Sequence, residues 1–249
     1  MAQRPVRKAL NKIPRKYRFA ISHLLLQTPV VGSGYLDIRP AYRETRARRS
    51  TEIVIDGFPR SANTYGLYAL QDAVGETCEV RGHTHSACTL LNAADAGVPA
   101  IAVVRDPDDA VASLIQMVDG MTPAIAYHAY ARFHTTLRRR VGSIYIAPFD
   151  EVTGDFGRTM RGMNVKFGTS FPEFEKSPES DKRVFDKIEY ANSVRNQGVI
   201  REAGVARPSS SRLPAEQILK GLRPIDERAR AAARSSYRDI ISFAGDKNG

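Results

Sequence analysis

The sequence has no tryptophan and only two cysteines among its 249 residues. Cys78 and Cys88 are not spaced as a CxxC pair, so a disulfide framework is excluded and a reducing compartment is expected. No apolar run approaches the ~18 residues that a membrane-spanning helix needs. The first residues also lack the apolar core and cleavage site of a signal peptide. These absences predict a cytoplasmic globular protein.

Acidic residues are scarce in the first 50 positions, which hold 12 Lys and Arg but only Asp37 and Glu44. That segment therefore accounts for the whole net charge of +10, and the remaining residues carry 25 charges of each sign. We divide the chain into a basic segment, 1–50, and a catalytic body, 51–245. Because the body is neutral, nucleic acid is not an expected partner.

The basic segment has apolar residues near helical spacing, with basic residues mostly elsewhere and a break at Pro14. This pattern is typical of a helix that attaches to an anionic membrane surface, here through residues 1–25. The same pattern is also typical of a helix that packs on the body and has a solvated basic face. The sequence leaves both interpretations open.

The body alternates short apolar runs with helical patterns. Strands are predicted at 52–56, 78–82, 100–104 and 144–147, and helices at 63–74, 86–96, from Asp106 onward and at 123–140. Asp106 is a predicted helix cap, with Pro107 at the first helical position. The alternation predicts an α/β fold with a central parallel sheet flanked by helices, followed by a mostly helical C-terminal part. Residues 128–140 are expected to present a solvated basic face.

The loop "GFPRSANT", residues 57–64, follows the first strand and precedes a helix. Backbone N–H groups and the helix dipole favour an anion at such a position. The lysine of the nucleotide-hydrolase loop is missing, which disfavours ATP hydrolysis. Arg60 offers several donors to phosphate or sulfate oxygens, and Ser61, Asn63 and Thr64 offer more. The alternative is an ordinary strand–helix turn with an exposed arginine.

A second motif, "VVRDPDDAVASLI", follows the third strand. Arg105 ends that strand, and Ser113 lies two turns along the following helix. A cation and a hydroxyl so arranged predict a second phosphate site. The alternative is that Arg105 pairs with Asp106 or Asp108 while Ser113 faces solvent.

The two motifs together resemble the sulfotransferases that use 3′-phosphoadenosine 5′-phosphosulfate (PAPS). "FPRSANTY" is similar to that family's 5′-phosphosulfate loop, and "VVRDPDDAVASL" is similar to its 3′-phosphate motif. The resemblance implies a three-layer P-loop-like fold, PAPS as co-substrate and no metal. Ala62 and Asn63 depart from the family pattern. We expect the methyl group of Ala62 to be tolerated only if the φ angle of that residue is negative.

The resemblance also implies residue roles. Arg60 would stabilise the leaving phosphate, Arg105 and Ser113 would hold the 3′-phosphate, and Tyr65 and Phe149 would border adenine. The whole loop would contact the 5′ side, namely Pro59, Arg60, Ser61, Ala62, Asn63 and Thr64. Arg195 and Arg207 are further candidates for the 3′-phosphate.

A general base is expected in "RGHTHSAC", which follows the second strand. Sulfuryl transfer to an alcohol requires loss of the hydroxyl proton, and histidine suits that task near neutral pH. In the family a histidine stands at this place, which favours His83 over His85. The pair could instead bind a metal with Cys88, or be structural.

The sequence therefore predicts a sulfotransferase that acts on a hydroxyl or amine. The sequence does not distinguish between a small molecule, a glycan and a lipid as the acceptor. The rival predictions are a P-loop kinase, which would need magnesium, and a non-catalytic protein that binds a nucleotide or an anionic membrane.

Overall fold

The computed structural model describes residues 13–39, 42, 46–199, 213–222 and 225–244. Its sheet consists of β1 (Ile53–Gly57), β2 (Val80–Gly82), β3 (Ala100–Val104) and β4 (Tyr145–Pro148). All the pairings are parallel, in the order β2-β1-β3-β4. The predicted parallel α/β fold is confirmed.

Helices connect and cover these strands. Before the sheet come α1 (Arg15–Leu26) and α2 (Val31–Ile38); between strands come α3 (Asn63–Val74), α4 (Ala87–Asp95), α5 (Pro107–Met117) and α6 (Pro123–Leu137). A 3₁₀ turn, Arg138–Ser143, leads into β4. After β4 come α7 (Phe149–Gly154), α8 (Phe156–Phe167), α9 (Pro178–Arg195), α10 (Ala215–Gly221) and α11 (Glu227–Ile241).

The sheet is buried on both faces, which explains why its strands are continuous apolar runs. Alternate residues of β1 point to opposite sides: Val54 joins one apolar core and Ile55 the other. Helices α4, α5, α6, α10 and α11 pack on the Val54 side, and α3, α8 and α9 pack on the Ile55 side. The result is three layers, as predicted.

The strand order places a topological switch point between β1 and β3. From β1 the chain crosses to β2 on one side, and β3 then lies on the other side. At the carboxyl edge, Gly57 of β1 pairs with Val103 of β3. Ligands of open α/β sheets bind in the crevice outside this kind of edge.

Two predictions about helices are modified. One side of helix α6 belongs to the core, since Tyr130, Phe133 and His134 are fully buried, while the predicted solvated basic face lies on its other side and in the following turn, where Arg132 and Arg138–Arg140 are exposed. Helix α1 begins directly after Pro14, and the part of the predicted amphipathic pattern in residues 1–12 lies outside the described residues. Across the described residues, no helix combines the length and apolarity needed to cross a bilayer.

Candidate active site

The loop between β1 and α3 turns tightly because of Gly57. A Cβ atom at this position would lie 2.3 Å from the Val103 carbonyl oxygen, so only glycine fits. The Asn63 side chain then fastens the loop by donating to the Gly57 carbonyl at 3.0 Å and to the Phe58 carbonyl at 2.8 Å. Pro59 is buried within the turn.

The loop backbone has two residues in the left-handed region, Arg60 with φ of 71° and Ala62 with φ of 65°. The prediction that the methyl group of Ala62 is tolerated only at a negative φ is therefore wrong. Ala62 caps α3 without a side-chain hydrogen bond, in the left-handed conformation that is usually glycine's. Conformations of this kind turn successive N–H groups into a concave anion site.

A buried hydroxyl in the loop supports the anion site. Ser61 is fully buried, and its Oγ has no hydrogen-bond partner among the described residues. Buried polar atoms are nearly always satisfied, so an orphan at a helix N-terminus indicates a missing acceptor. A phosphate or sulfate oxygen fits that place, where the positive end of the α3 dipole favours an anion.

Two arginines from different motifs converge at the switch point. Arg60 Nε donates to Ser113 Oγ at 2.8 Å, and Arg105 Nη1 donates to the Arg60 carbonyl at 3.0 Å. The Arg105 guanidinium lies 4.2 Å from the centroid of the Phe149 ring. Four predicted residues, Arg60, Arg105, Ser113 and Phe149, therefore form one contiguous cluster.

The alternative pairing of Arg105 is not the one found. Asp106 caps α5 by accepting from the backbone N–H groups of Asp108 and Asp109, as predicted. The Asp108 carboxylate binds Arg230, and Arg105 forms an ion pair with Asp109, at 3.8 Å. Ser113 accepts from Arg60 and does not simply face solvent.

The histidine segment lies beside the phosphate loop. His83 Nε2 is 3.1 Å from Thr64 Oγ1, and the rings of His83 and His85 are 4.7 Å apart. Both histidines have positive φ, 60° and 56°. Strained backbone of this kind clusters at functional sites. Gly82 makes the approach possible, since a Cβ there would lie 1.7 Å from the Ile55 carbonyl oxygen.

A residue that the sequence analysis missed, Asp56, holds this strained segment. Its buried carboxylate accepts hydrogen bonds from the Gly57 and His85 N–H groups and from both the N–H and the hydroxyl of Thr84. Burial raises the pKa of Asp56, while the nearby His85 and the hydrogen bonds from Thr84 and Gly57 oppose that shift. The sequence signal that could have identified Asp56 is its position as an acidic residue within an otherwise apolar strand.

The hydrogen-bond network also assigns the tautomer of His85. Its Nδ1 lies 3.1 Å from the Gly57 carbonyl and 3.2 Å from Asn63 Nδ2. Both amide hydrogens of Asn63 already go to carbonyls, so Nδ1 carries a hydrogen and donates it to Gly57. In neutral His85 the lone pair is therefore on Nε2.

A second missed residue, Gln27, connects α1 to the histidine segment. Gln27 caps α1, donates to the His85 carbonyl at 2.9 Å and accepts from the Ala87 N–H at 2.7 Å. Ser86 adds a hydrogen bond to the Leu26 carbonyl. No local sequence signal predicts contacts over such a separation.

Of the remaining predicted site residues, the structure places Tyr65 outside this arrangement. Tyr65 is buried, donates to Asp181 at 2.8 Å and packs its ring against Phe185, so α9 covers it. Arg195 is the last residue of α9, and its side chain lies outside the described part. Arg207 is not among the described residues. His83, His85 and Cys88 do not form a metal site, and no group of three potential metal ligands occurs in the described part of the chain.

Comparison with known proteins gives one structural similarity. No family model matches the chain, and no curated protein matches it. A mouse sulfotransferase, SULT7A1, solved in complex with PAP, is 11% identical, with a TM-score of 0.41. The alignment covers 81% of this chain and 92% of the mouse chain. These values are too low to assign a function to this chain.

Proposed function

We propose that this protein is a sulfotransferase that moves a sulfuryl group from PAPS to a hydroxyl acceptor. The products are the sulfate ester, 3′-phosphoadenosine 5′-phosphate and the proton of the acceptor hydroxyl. The observation that carries the proposal is the cluster of Arg60, Arg105, Ser113 and Phe149 at the switch point, beside a loop with an unsatisfied serine hydroxyl.

The residues present fit such a donor. The N–H groups of the β1–α3 loop, with Ser61 and Thr64, suit its 5′ end. Arg105 and Ser113 suit the 3′-phosphate, and Phe149 suits one border of the adenine pocket. The Arg60 side chain donates a hydrogen bond to Ser113, and the Arg60 carbonyl accepts one from Arg105. The Arg60 guanidinium is the group that would stabilise negative charge developing on the leaving 5′-phosphate, while Arg105 would neutralise the 3′-phosphate.

Proton removal is assigned to His83, with His85 as the alternative. The ring of His83 borders the loop that would hold the transferred group, since its Nε2 is 3.1 Å from Thr64 Oγ1. A base must lie within hydrogen-bond reach of the acceptor hydroxyl. Asp56 acts through the backbone N–H groups of Thr84 and His85 and is therefore a positioning residue.

Calorimetry with 3′-phosphoadenosine 5′-phosphate tests donor binding. We expect Arg105→Ala and Ser113→Ala each to weaken binding, with a loss of about 10- to 100-fold for the arginine, because a charge-assisted hydrogen bond is removed. Arg161→Ala is the matched control, since Arg161 lies on α8 and pairs with Glu173 at the surface. No heat of binding with the unaltered protein would contradict the proposal.

Labelled PAPS with a panel of hydroxylated lipids, sugars and phenols tests turnover. We expect His83→Ala to abolish transfer while binding of 3′-phosphoadenosine 5′-phosphate is retained. Retained transfer in His83→Ala and loss in His85→Ala would move the base to His85. A protein that binds this ligand without turnover would be a non-catalytic binder, and magnesium-dependent transfer from ATP would indicate a kinase.

A further inference from the structure

Exposed apolar side chains are concentrated near the start of the described chain. Of the eleven large apolar side chains that the described residues expose, six lie between residues 17 and 38. They are Tyr17, Ile21, Leu24, Val30, Val31 and Ile38. Single exposed apolar residues are ordinary, but a concentration of them marks an interaction site.

Helix α1 has two different apolar faces. One packs on the body: His23 and Leu26 are buried, and Phe19 contacts the core that α6 belongs to. The other carries Tyr17, Ile21 and Leu24, which are 49%, 51% and 44% exposed. These three follow helical spacing i, i+4 and i+7, so they form one stripe. We call this stripe the α1 outer face.

The orientation of the α1 outer face is fixed. His23 stacks on Phe19 and contacts the edge of Phe58, while Gln27 is bonded to the histidine segment. Helix α2 packs on α1, with a hydrogen bond of 2.9 Å between Ser22 and Tyr35. The outer face cannot turn inward without breaking these contacts.

The charge of the chain segment that contains this face selects the partner. Residues 1–36 contain seven Lys and Arg, counted from Arg4 to Arg18, and no Asp or Glu. A second copy of the chain would bring the same positive charge opposite itself, which opposes self-association. An anionic lipid surface complements the charge and accepts the apolar side chains at its headgroup boundary.

We propose that the α1 outer face docks this protein on an anionic membrane surface as a peripheral helix. Tyr17, Ile21 and Leu24 enter the boundary between headgroups and acyl chains, and Lys16 and Arg18 of the same helix contact the lipid charge. The inference is independent of the proposed function.

Co-sedimentation with vesicles tests the docking. We expect the full chain to sediment with vesicles of phosphatidylcholine and phosphatidylserine but not with phosphatidylcholine alone, and high salt to weaken the binding. The Ile21→Glu/Leu24→Glu variant should bind at least about tenfold more weakly, because two charged groups replace the inserting side chains. Both residues are exposed, so the variant should retain its thermal stability.

Val165→Glu is the matched control, since Val165 is 72% exposed on α8, which packs on the opposite face of the sheet. It should bind vesicles as the unaltered protein does. Equal binding to both vesicle types, or equal binding by the double variant, would overturn the proposal. Light scattering tests whether a second copy of the chain occupies the face instead. If the unaltered protein is a dimer and the double variant is a monomer, the face belongs to a dimer interface.

Discussion

The β1–α3 loop carries conformational strain at Arg60 and Ala62, and a glycine substitution tests it at Ala62. With φ of 65° its methyl group costs about 1 kcal/mol relative to glycine, a larger effect than the entropy that glycine adds to the unfolded chain. We expect Ala62→Gly to raise the free energy of unfolding by about 0.5 kcal/mol, the difference between the two effects, measured by urea denaturation. Ala73→Gly, inside α3, is the control and should lower it by about 0.5 kcal/mol. A loss of stability in Ala62→Gly would show that the methyl group makes a compensating contact.

Residue patterns could predict which polar side chains end strands, but not their backbone angles or long-range partners. Arg60, Arg105 and Ser113 are identifiable from motif spacing, and the structure brings them together. The positive φ of Ala62 could not be predicted from the sequence, because alanine ordinarily has a negative φ. The role of Gln27 could not be predicted either, because its hydrogen bonds to the histidine segment depend on how α1 packs. Roles of these residues in catalysis stay predictions.

At the scale of elements, strands and most helices follow from local signals. Asp106 and Pro107 begin α5 as predicted, and continuous apolar runs give β1 and β3. At α6 the sequence analysis predicted the exposed basic face but did not identify the buried aromatic face opposite it. Tyr130, Phe133 and Leu137 recur at helical intervals, and burial of that face outweighs its polar residues.

The attachment of α11 to α5 depends on one carboxylate. Asp108 accepts hydrogen bonds from Tyr127, Arg230 and Arg234. Burial opposes ionisation, but these three donors lower the pKa of Asp108 to about 2. The neighbouring residue, Asp109, faces Arg105, so this attachment lies next to the arginine cluster.

We expect Asp108→Ala to lower the free energy of unfolding by about 2 kcal/mol, because a partly buried guanidinium loses its partner. Urea denaturation measures the change. Asp186→Ala removes an exposed ion pair with Lys182 and should change stability by less than about 0.5 kcal/mol. Equal effects of the two substitutions would mean that α11 is held by its apolar contacts alone.

At the scale of the whole molecule, the core around the sheet contains two buried histidines. Burial lowers the pKa of His23 to about 3, with smaller contributions from His85, Arg132 and His134. Burial likewise lowers the pKa of His134 to about 4, although its hydrogen bond to the Tyr130 carbonyl opposes the shift. In the unfolded chain both have their ordinary pKa near 6.5.

Stability should therefore decrease on acidification before the carboxylates titrate. Below about pH 6.5 the unfolded chain binds protons at positions 23 and 134, whereas folded His23 and His134 stay neutral. Each of these histidines therefore lowers the free energy of unfolding by about 1.4 kcal/mol per pH unit, down to its folded pKa. Melting temperatures between pH 7 and about pH 4 measure this loss. His23→Leu has a similar volume and no titrating group, so it should reduce the slope by about half. A His23→Leu variant as acid-sensitive as the unaltered protein would show that folded His23 accepts a proton.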